Sequence, residues 1–264
     1  MQTFEIDGPV QVSVENSAGE VRVTTTDAVR AEVEVTAMRN DDPSREAAEE
    51  TRVEYRDGRL DVAVPRNKGT FFGREPRVRV DVRVPHDSSL AFTTASADVR
   101  GEGRFAEVRG KTASGDVSLG DAGTVRIESA SGDLRVDELR GDGGLKSASG
   151  DIKLGHVAGT LDASVVSGDL RVATIDNGAH VQAVSGDIDL TAVAQGDVEV
   201  RSVSGDVSVG VRQGARVRVD VSTVSGDLES EVELDAAPGD GDDGPLVSVS
   251  GRTVSGDLRI KRAR

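Results

Sequence analysis

Ser-Gly-Asp recurs eight times in the last two thirds of this chain, beginning at Ser114, Ser131, Ser149, Ser167, Ser185, Ser204, Ser225 and Ser255. A degenerate forerunner stands at Ser96-Ala97-Asp98, and successive copies lie 17 to 21 residues apart until a final step of 30. Self-similarity near 18 residues, written in β-branched residues and glycines, marks a parallel β-solenoid in which each repeat is one coil. The expectation is an all-β chain with about 18 residues per coil.

One coil can be read from the phase of its apolar residues. One and three positions after each Asp stand Val117 and Leu119, Leu134 and Val136, Ile152 and Leu154, Leu170 and Val172, Ile188 and Leu190, and Val207 and Val209. That is a half-buried strand of period two. Six positions before the Asp stand Ile127, Leu145, Ala163, Val181, Val200 and Val221, and three before it Ala130, Ala148, Val166, Val184, Val203 and Val224. With both sets read as inward, the odd offset between them predicts a bend or bulge. The motif then runs Ala or Val in, Ser out, Gly in, Asp out. An inward Gly predicts close backbone approach or a special φ.

Coils in register sit about 4.8 Å apart, so Asp116, Asp133, Asp151, Asp169, Asp187, Asp206 and Asp227 should form a column of carboxylates. Two such charges about 5 Å apart repel by roughly 1 kcal/mol in water. Arg135, Lys153 and Arg171, two residues on, offer compensation, whereas Ser118, Asp189, Ser208 and Glu229 occupy that place elsewhere.

Composition narrows the function classes. Aromatic residues make up 2% of the chain, which would starve a broad globular core but suffices for the thin core of a solenoid. A formal charge of −15 opposes binding to nucleic acid, which needs clustered Lys and Arg. With no Cys there are no disulfides, thiolate metal sites or Cys nucleophiles. Met1-Gln2-Thr3-Phe4-Glu5 carries neither a basic nor an apolar signal region, and no apolar run has the length of a transmembrane segment. The expected location is cytoplasmic, with surface exposure only for a trimmed sequence.

Residues 1–88 break the period but keep alternating β runs, and read as a β-rich N-terminal cap continuous with the solenoid of residues 89–264. Asn16-Ser17-Ala18-Gly19-Glu20-Val21 looks like a worn coil that precedes an excursion. Asp42-Pro43 before Ser44-Arg45-Glu46-Ala47-Ala48-Glu49-Glu50 predicts the cap's one short helix, with Asp42 as its cap and Pro43 at the first position. Asp57-Gly58 predicts a hairpin. Phe71 and Phe72 sit in a Gly-bounded loop; they fold back over the cap or form an apolar knob for a partner or membrane surface. An acidic loop at 235–246 interrupts the last coil.

The chemistry of the column allows a cation site. Asp187, Asp206 and Asp227, where basic neighbours are scarce, are the candidate calcium ligands, although the Gly-Gly-x-Gly-x-Asp repeat of calcium-bound β-rolls is absent. A nucleophilic Ser lacks a Gly-x-Ser-x-Gly setting, and His86, His156 and His180 are the only bases of their kind. His156 and His180 fall at different coil positions. A polysaccharide-cleaving site on Asp133, Arg135, Asp151, Lys153, Asp169 and Arg171 would have to follow the repeat, whereas active sites usually break one. No catalytic residue or cofactor is assigned.

Val80-Asp81-Val82-Arg83-Val84-Pro85, then Ser89-Leu90-Ala91-Phe92-Thr93-Thr94-Ala95-Ser96, then serial Ser-Gly-Asp resembles the bacterial β-strand-repeat family named "putative adhesin", domain of unknown function 4097. The resemblance covers nearly the whole chain and implies a right-handed parallel β-helix, a single-chain β-solenoid. It implies no catalytic residues. The functional expectation is a non-enzymatic interaction platform, scaffold or adhesin-like protein that binds an unknown protein or self-associates. The alternative is a calcium- or carbohydrate-binding module using the stacked Asp face.

Overall fold

A computed structural model describes residues 1–66, 75–231 and 244–263. Strands dominate it, as the alternating Val pattern requires, and they form a β-solenoid divided into two compact units, Met1–Leu134 and Arg135–Arg264.

In the first unit the elements are β1 (Gln2–Glu5), β2 (Gln11–Thr26), β3 (Arg30–Ala37), α1 (Asp42–Glu49), β4 (Arg52–Arg56), β5 (Arg59–Ala63), β6 (Val78–Pro85), β7 (Ser89–Thr112) and β8 (Val117–Ser129). β2 is the worn first coil. It pairs in parallel with β7, placing Gly19 beside Ala97 and Glu20 beside Asp98. On its other edge β2 pairs with β5 and β6, so the excursion forms an outer coil beyond the first one. Antiparallel β4 and β3 then border β5 and β6. The hairpin at Asp57-Gly58 has φ of 50° and 76°, the left-handed pair that a tight turn needs. The helix is capped by Asp41 rather than Asp42, whose place is inside it. The Asp41 carboxylate accepts the Ser44 N–H at 2.9 Å.

The second unit begins within β9 (Leu134–Leu139) and continues as β10 (Gly143–Ser149), β11 (Ile152–Val157), β12 (Leu161–Ser167), β13 (Leu170–Ile175), β14 (Ala179–Ser185), β15 (Ile188–Val193), β16 (Gly196–Ser204) and β17 (Val207–Val211). Each coil contributes one strand that ends at the motif Ser and one that starts after the motif Asp. Two parallel ladders result, β10–β12–β14–β16 and β11–β13–β15–β17, in which a residue pairs with the one a repeat later. Ile152, Leu170, Ile188 and Val207 stack as one inward column at no more than 1% exposure.

Three expectations about the coil change. The residues three before the Asp point outward, and the inward ones lie four before it, at Ser129, Ser147, Val165, Ala183 and Ser202. Alternation therefore runs unbroken to the corner, and no bulge is needed before it. The inward hydroxyl explains why a polar residue is accepted there: Ser129 Oγ accepts the Gly132 N–H at 2.9 Å and donates to the Gly132 carbonyl at 3.1 Å.

The third change is the order of coils. After β17 the chain forms β18 (Arg216–Ser225) and β19 (Leu228–Ser230), then β20 (Leu246–Ser255) and β21 (Leu258–Arg262). β20 lies between β16 and β18, and β21 between β17 and β19. The coil latest in sequence is thus intercalated and the one before it is outermost. The more apolar coil takes the inner place: Ile260 is 1% exposed where β19 offers Ser230 in the same register.

At the corner the motif glycine is indispensable. Gly186 has φ +126°, and a Cβ there would lie 2.0 Å from the Gly168 carbonyl oxygen. Gly186→Ala should therefore lower stability by at least about 2 kcal/mol, read as a reduced urea midpoint with an unchanged slope.

Candidate functional site

The carboxylate column is present, and its main role is to join coils. In the first unit Asp98 Oδ1 accepts the Asp116 N–H at 3.2 Å, and Asp116 Oδ1 accepts the Asp133 N–H at 3.0 Å. In the second, Asp151 accepts from Asp169, Asp169 from Asp187 and Asp187 from Asp206, at 2.9 to 3.0 Å. Asp206 then accepts from Asp257 and Asp257 from Asp227. The candidate trio Asp187, Asp206 and Asp227 is therefore not consecutive, because Asp257 stands between its last two members. Each Oδ1 meets an amide that lies at the corner, outside the strand ladders.

Compensating cations flank part of this column. Lys153 Nζ lies 3.3 Å from Asp151, and Arg171 lies 2.7 Å from Asp169. The Asp169 N–H, with Lys153 and Arg171 behind it, holds the Asp151 carboxyl below the usual carboxylate range. Arg135 pairs with Asp137, two residues further on, at 2.9 Å. Intercalation supplies a cation that repeat counting misses: Arg259 lies 3.2 Å from Asp257 and 2.9 Å from Glu229. Among the described residues no group of three or more His, Cys, Asp or Glu is placed to hold a metal ion.

At the worn coil Glu20 takes the column position and is 6% exposed. Arg22, Arg79 and Arg100 contact it at 2.9, 2.8 and 3.0 Å. Burial raises its pKa, and the Arg22 and Arg79 guanidiniums more than reverse this, leaving it below the usual range.

The outward residues three before each Asp make the second feature. Val166, Val184, Val203, Val254 and Val224 lie in successive coils of the second unit and are 50%, 48%, 49%, 47% and 80% exposed. At about 4.8 Å per coil they form an apolar column roughly 19 Å long. A shallow depression of about 230 Å³ runs beside it, lined by Ser164, Val166, Gln182, Val184, Arg201 and Val203. The periodic Val in the sequence is the signal for this column; reading it as inward hid it. Phe71 and Phe72 lie outside the described residues, as does most of the 235–246 loop.

The family model Toastrack DUF4097 matches residues 11–261. The chain belongs to this family. Among solved structures, the chain is similar to one from Parabacteroides distasonis ATCC 8503 described as a "putative adhesin". Identity is 14% and the TM-score 0.48, over 98% of this chain and 95% of that one. Another from the same organism, described as a "putative lipid binding protein", shares 15% identity with a TM-score of 0.47 over 97% and 96%. A third, a "putative adhesin" from Bacteroides fragilis NCTC 9343, shares 14% with a TM-score of 0.42 over 98% and 95%. No curated protein matches the chain. Among its described residues no helix is long and apolar enough to cross a membrane.

One place in this Toastrack DUF4097 chain breaks the repeat with titratable groups. His156 Nδ1 lies 2.6 Å from Glu138 and Nε2 2.8 Å from Asp176, carboxylates from the neighbouring coils on either side. Arg212 lies 3.7 Å from the same Asp176. Hydrogen bonds that the protonated ring donates to the Glu138 and Asp176 carboxylates raise the His156 pKa against a smaller burial effect. Among the described residues no hydroxyl is hydrogen-bonded to this histidine, whose two ring nitrogens both face carboxylates.

Two expectations follow from this geometry. Asp187→Ala removes the acceptor of the Asp206 N–H and should cost about 1 to 2 kcal/mol in chemical unfolding, whereas Asp187→Asn keeps an acceptor and should cost less than about 0.5 kcal/mol. A folded-state pKa above the unfolded one means that His156 stabilises fully below about pH 6.5 and loses this contribution as pH rises through the raised value. The stability gap between wild type and His156→Gln should therefore be wider at about pH 6 than at about pH 8.5.

Proposed function

We propose that this chain is a non-enzymatic interaction platform whose contact surface is the outward valine column of the second unit. The observation that carries the reading is the exposure of Val166, Val184, Val203, Val254 and Val224 in unbroken succession. Single exposed apolar residues are ordinary, but a contiguous strip on a rigid face is the usual mark of a binding surface. Gln182 and Arg201 border the strip and can set the orientation of a partner through hydrogen bonds.

Two further facts support a binding role over catalysis. Each column carboxylate of the second unit from Asp151 onward, Asp227 apart, already accepts a backbone amide, which ties it to holding coils together. The histidine best placed for acid–base chemistry, His156, is enclosed by two carboxylates rather than set beside a nucleophile. The occupant that fits is a protein with its own apolar strip, matched to a straight row of valines at coil spacing.

A photo-crosslinking residue placed at Val184 in the native cells tests this. Val184 should give a discrete protein adduct that the same residue at Lys153 does not, and Val203→Asp in the same chain should reduce that adduct at least about tenfold. Equal labelling from both positions, or an adduct indifferent to Val203→Asp, would remove the valine column from the function.

A further inference from the structure

The outer coils of the two units are finished differently. In the first unit, β3 and β4 pair with the outer coil. In the second, no strand among the described residues pairs with the edge of β18 that faces away from β20. Inward residues there are left open. Val219 is half-buried, while Val249 and Val198 in the same register are 2% and 0% exposed. Leu228 is 49% exposed, while Leu258 and Val207 are 2% and 1%.

Among the described residues that edge is guarded only by the charges of its outward face, Arg216, Arg218 and Asp220. Protein edges are usually blunted by proline, an inward charge or a bulge. Arg216–Ser225 contains no proline, its inward positions are Val217, Val219, Val221 and Thr223, and its register against β20 does not shift. The Arg216 N–H bonds to the Pro245 carbonyl at 2.9 Å, which sets the alternation of the ladder. Backbone groups of Val217, Val219, Val221 and Thr223 are thereby turned to the free edge.

We propose that this edge pairs with the same edge of a second copy of the chain, antiparallel, about a two-fold axis through Val219. Hydrogen-bonded pairs must form between residues whose backbone groups face the edge, so Val219 meets Val219 and Val217 meets Val221. Opposed residues share a face, and the valines of the two copies therefore join into one apolar column that covers Val219 and Val221. Between those pairs, Arg218 of each copy stands opposite Asp220 of the other. Both side chains are exposed, and among the described residues neither makes an ion pair.

Charge selects this register over its neighbours. One pairing step in one direction sets Asp220 against Asp220 on the axis, and one step in the other sets Arg218 against Arg218. Only the alignment through Val219 puts opposite charges together at two symmetric places. The proposal is independent of the outward valine column, whose side chains point away from this core.

The test is the light-scattering mass of the full chain over a dilution series. The wild type should have a two-copy mass at high concentration. Arg218→Asp and Asp220→Arg each create two like-charge contacts and should weaken the dimer by at least about tenfold. The double variant restores complementarity and should restore the dimer. An equimolar mixture of the two single variants should form mixed dimers, because every contact between them is again opposite in charge. Thermal melts identify any variant with a damaged coil, and the mixture still reports on pairing. A single-copy mass for the wild type at every concentration, as when a segment of its own chain covers the edge, overturns the proposal. A dimer that ignores both reversals overturns it too, because its contact then lies elsewhere.

Discussion

Where one coil turns above the next, the two motif glycines come so close that a single added carbon on Gly186 would sit 2.0 Å from the carbonyl oxygen of Gly168. Much else in the repeat answers to that contact. The same approach one coil on, where a Cβ on Gly205 would sit 2.2 Å from the Gly186 carbonyl oxygen, lets the Gly186 N–H reach the Ser204 carbonyl at 3.2 Å and the Ile188 N–H reach the Asp206 carbonyl at 2.9 Å. The amide between them belongs to Asp187, and it bonds to the carboxylate of Asp169. Each corner amide is thereby satisfied without water, as a backbone that turns beside an apolar core requires. The Asp column costs some mutual repulsion, and its partners are the amides and cations beside it.

Both units place a coil near the end of the chain in an inner position. β2 is flanked by β7 and by β5 with β6, and β20 with β21 is flanked by the coils on either side. Such a coil is bonded along both edges and cannot fray as a free edge does. The arrangement also joins residues far apart in sequence. Asp257 bonds to Asp206 across 51 residues, where the ordinary coil step is 18. Contacts of that separation carry a larger loop-closure cost and form late in folding.

The regularity that stabilises the coil also limits its chemistry. A side chain repeated at every coil meets the same environment each time, so the column of Asp is a joint, and the column of Val is a surface. Exceptions stand out against it. Glu20 collects three arginines at the worn coil, and His156 bridges two carboxylates from different coils. These are local replacements in a fixed frame, and they stabilise their own coils before they do anything else.

Most of the coil was legible in the residues. The repeat predicts the solenoid, the inward Ile152, Leu170 and Ile188 column and the stacked carboxylates, because each depends on spacing along one coil or on neighbouring repeats, and the Asp57-Gly58 pair predicts its own hairpin. Two things were not. Val166, Val184 and Val203 read as core by their chemistry, and only the corner shows that Val165, Ala183 and Ser202, one residue earlier, take the inner place. The order of the last coils was hidden as well, because pairing in a parallel ladder depends on which coil buries more apolar surface. Sequence order carries no trace of Ile260 being covered while Ser230 is left at the edge. The sequence by itself determined the coil, since period and side-chain alternation are properties of a single strand. Tertiary structure alone decided which coil is innermost and which face stays bare, since both follow from competition among coils for the same edges.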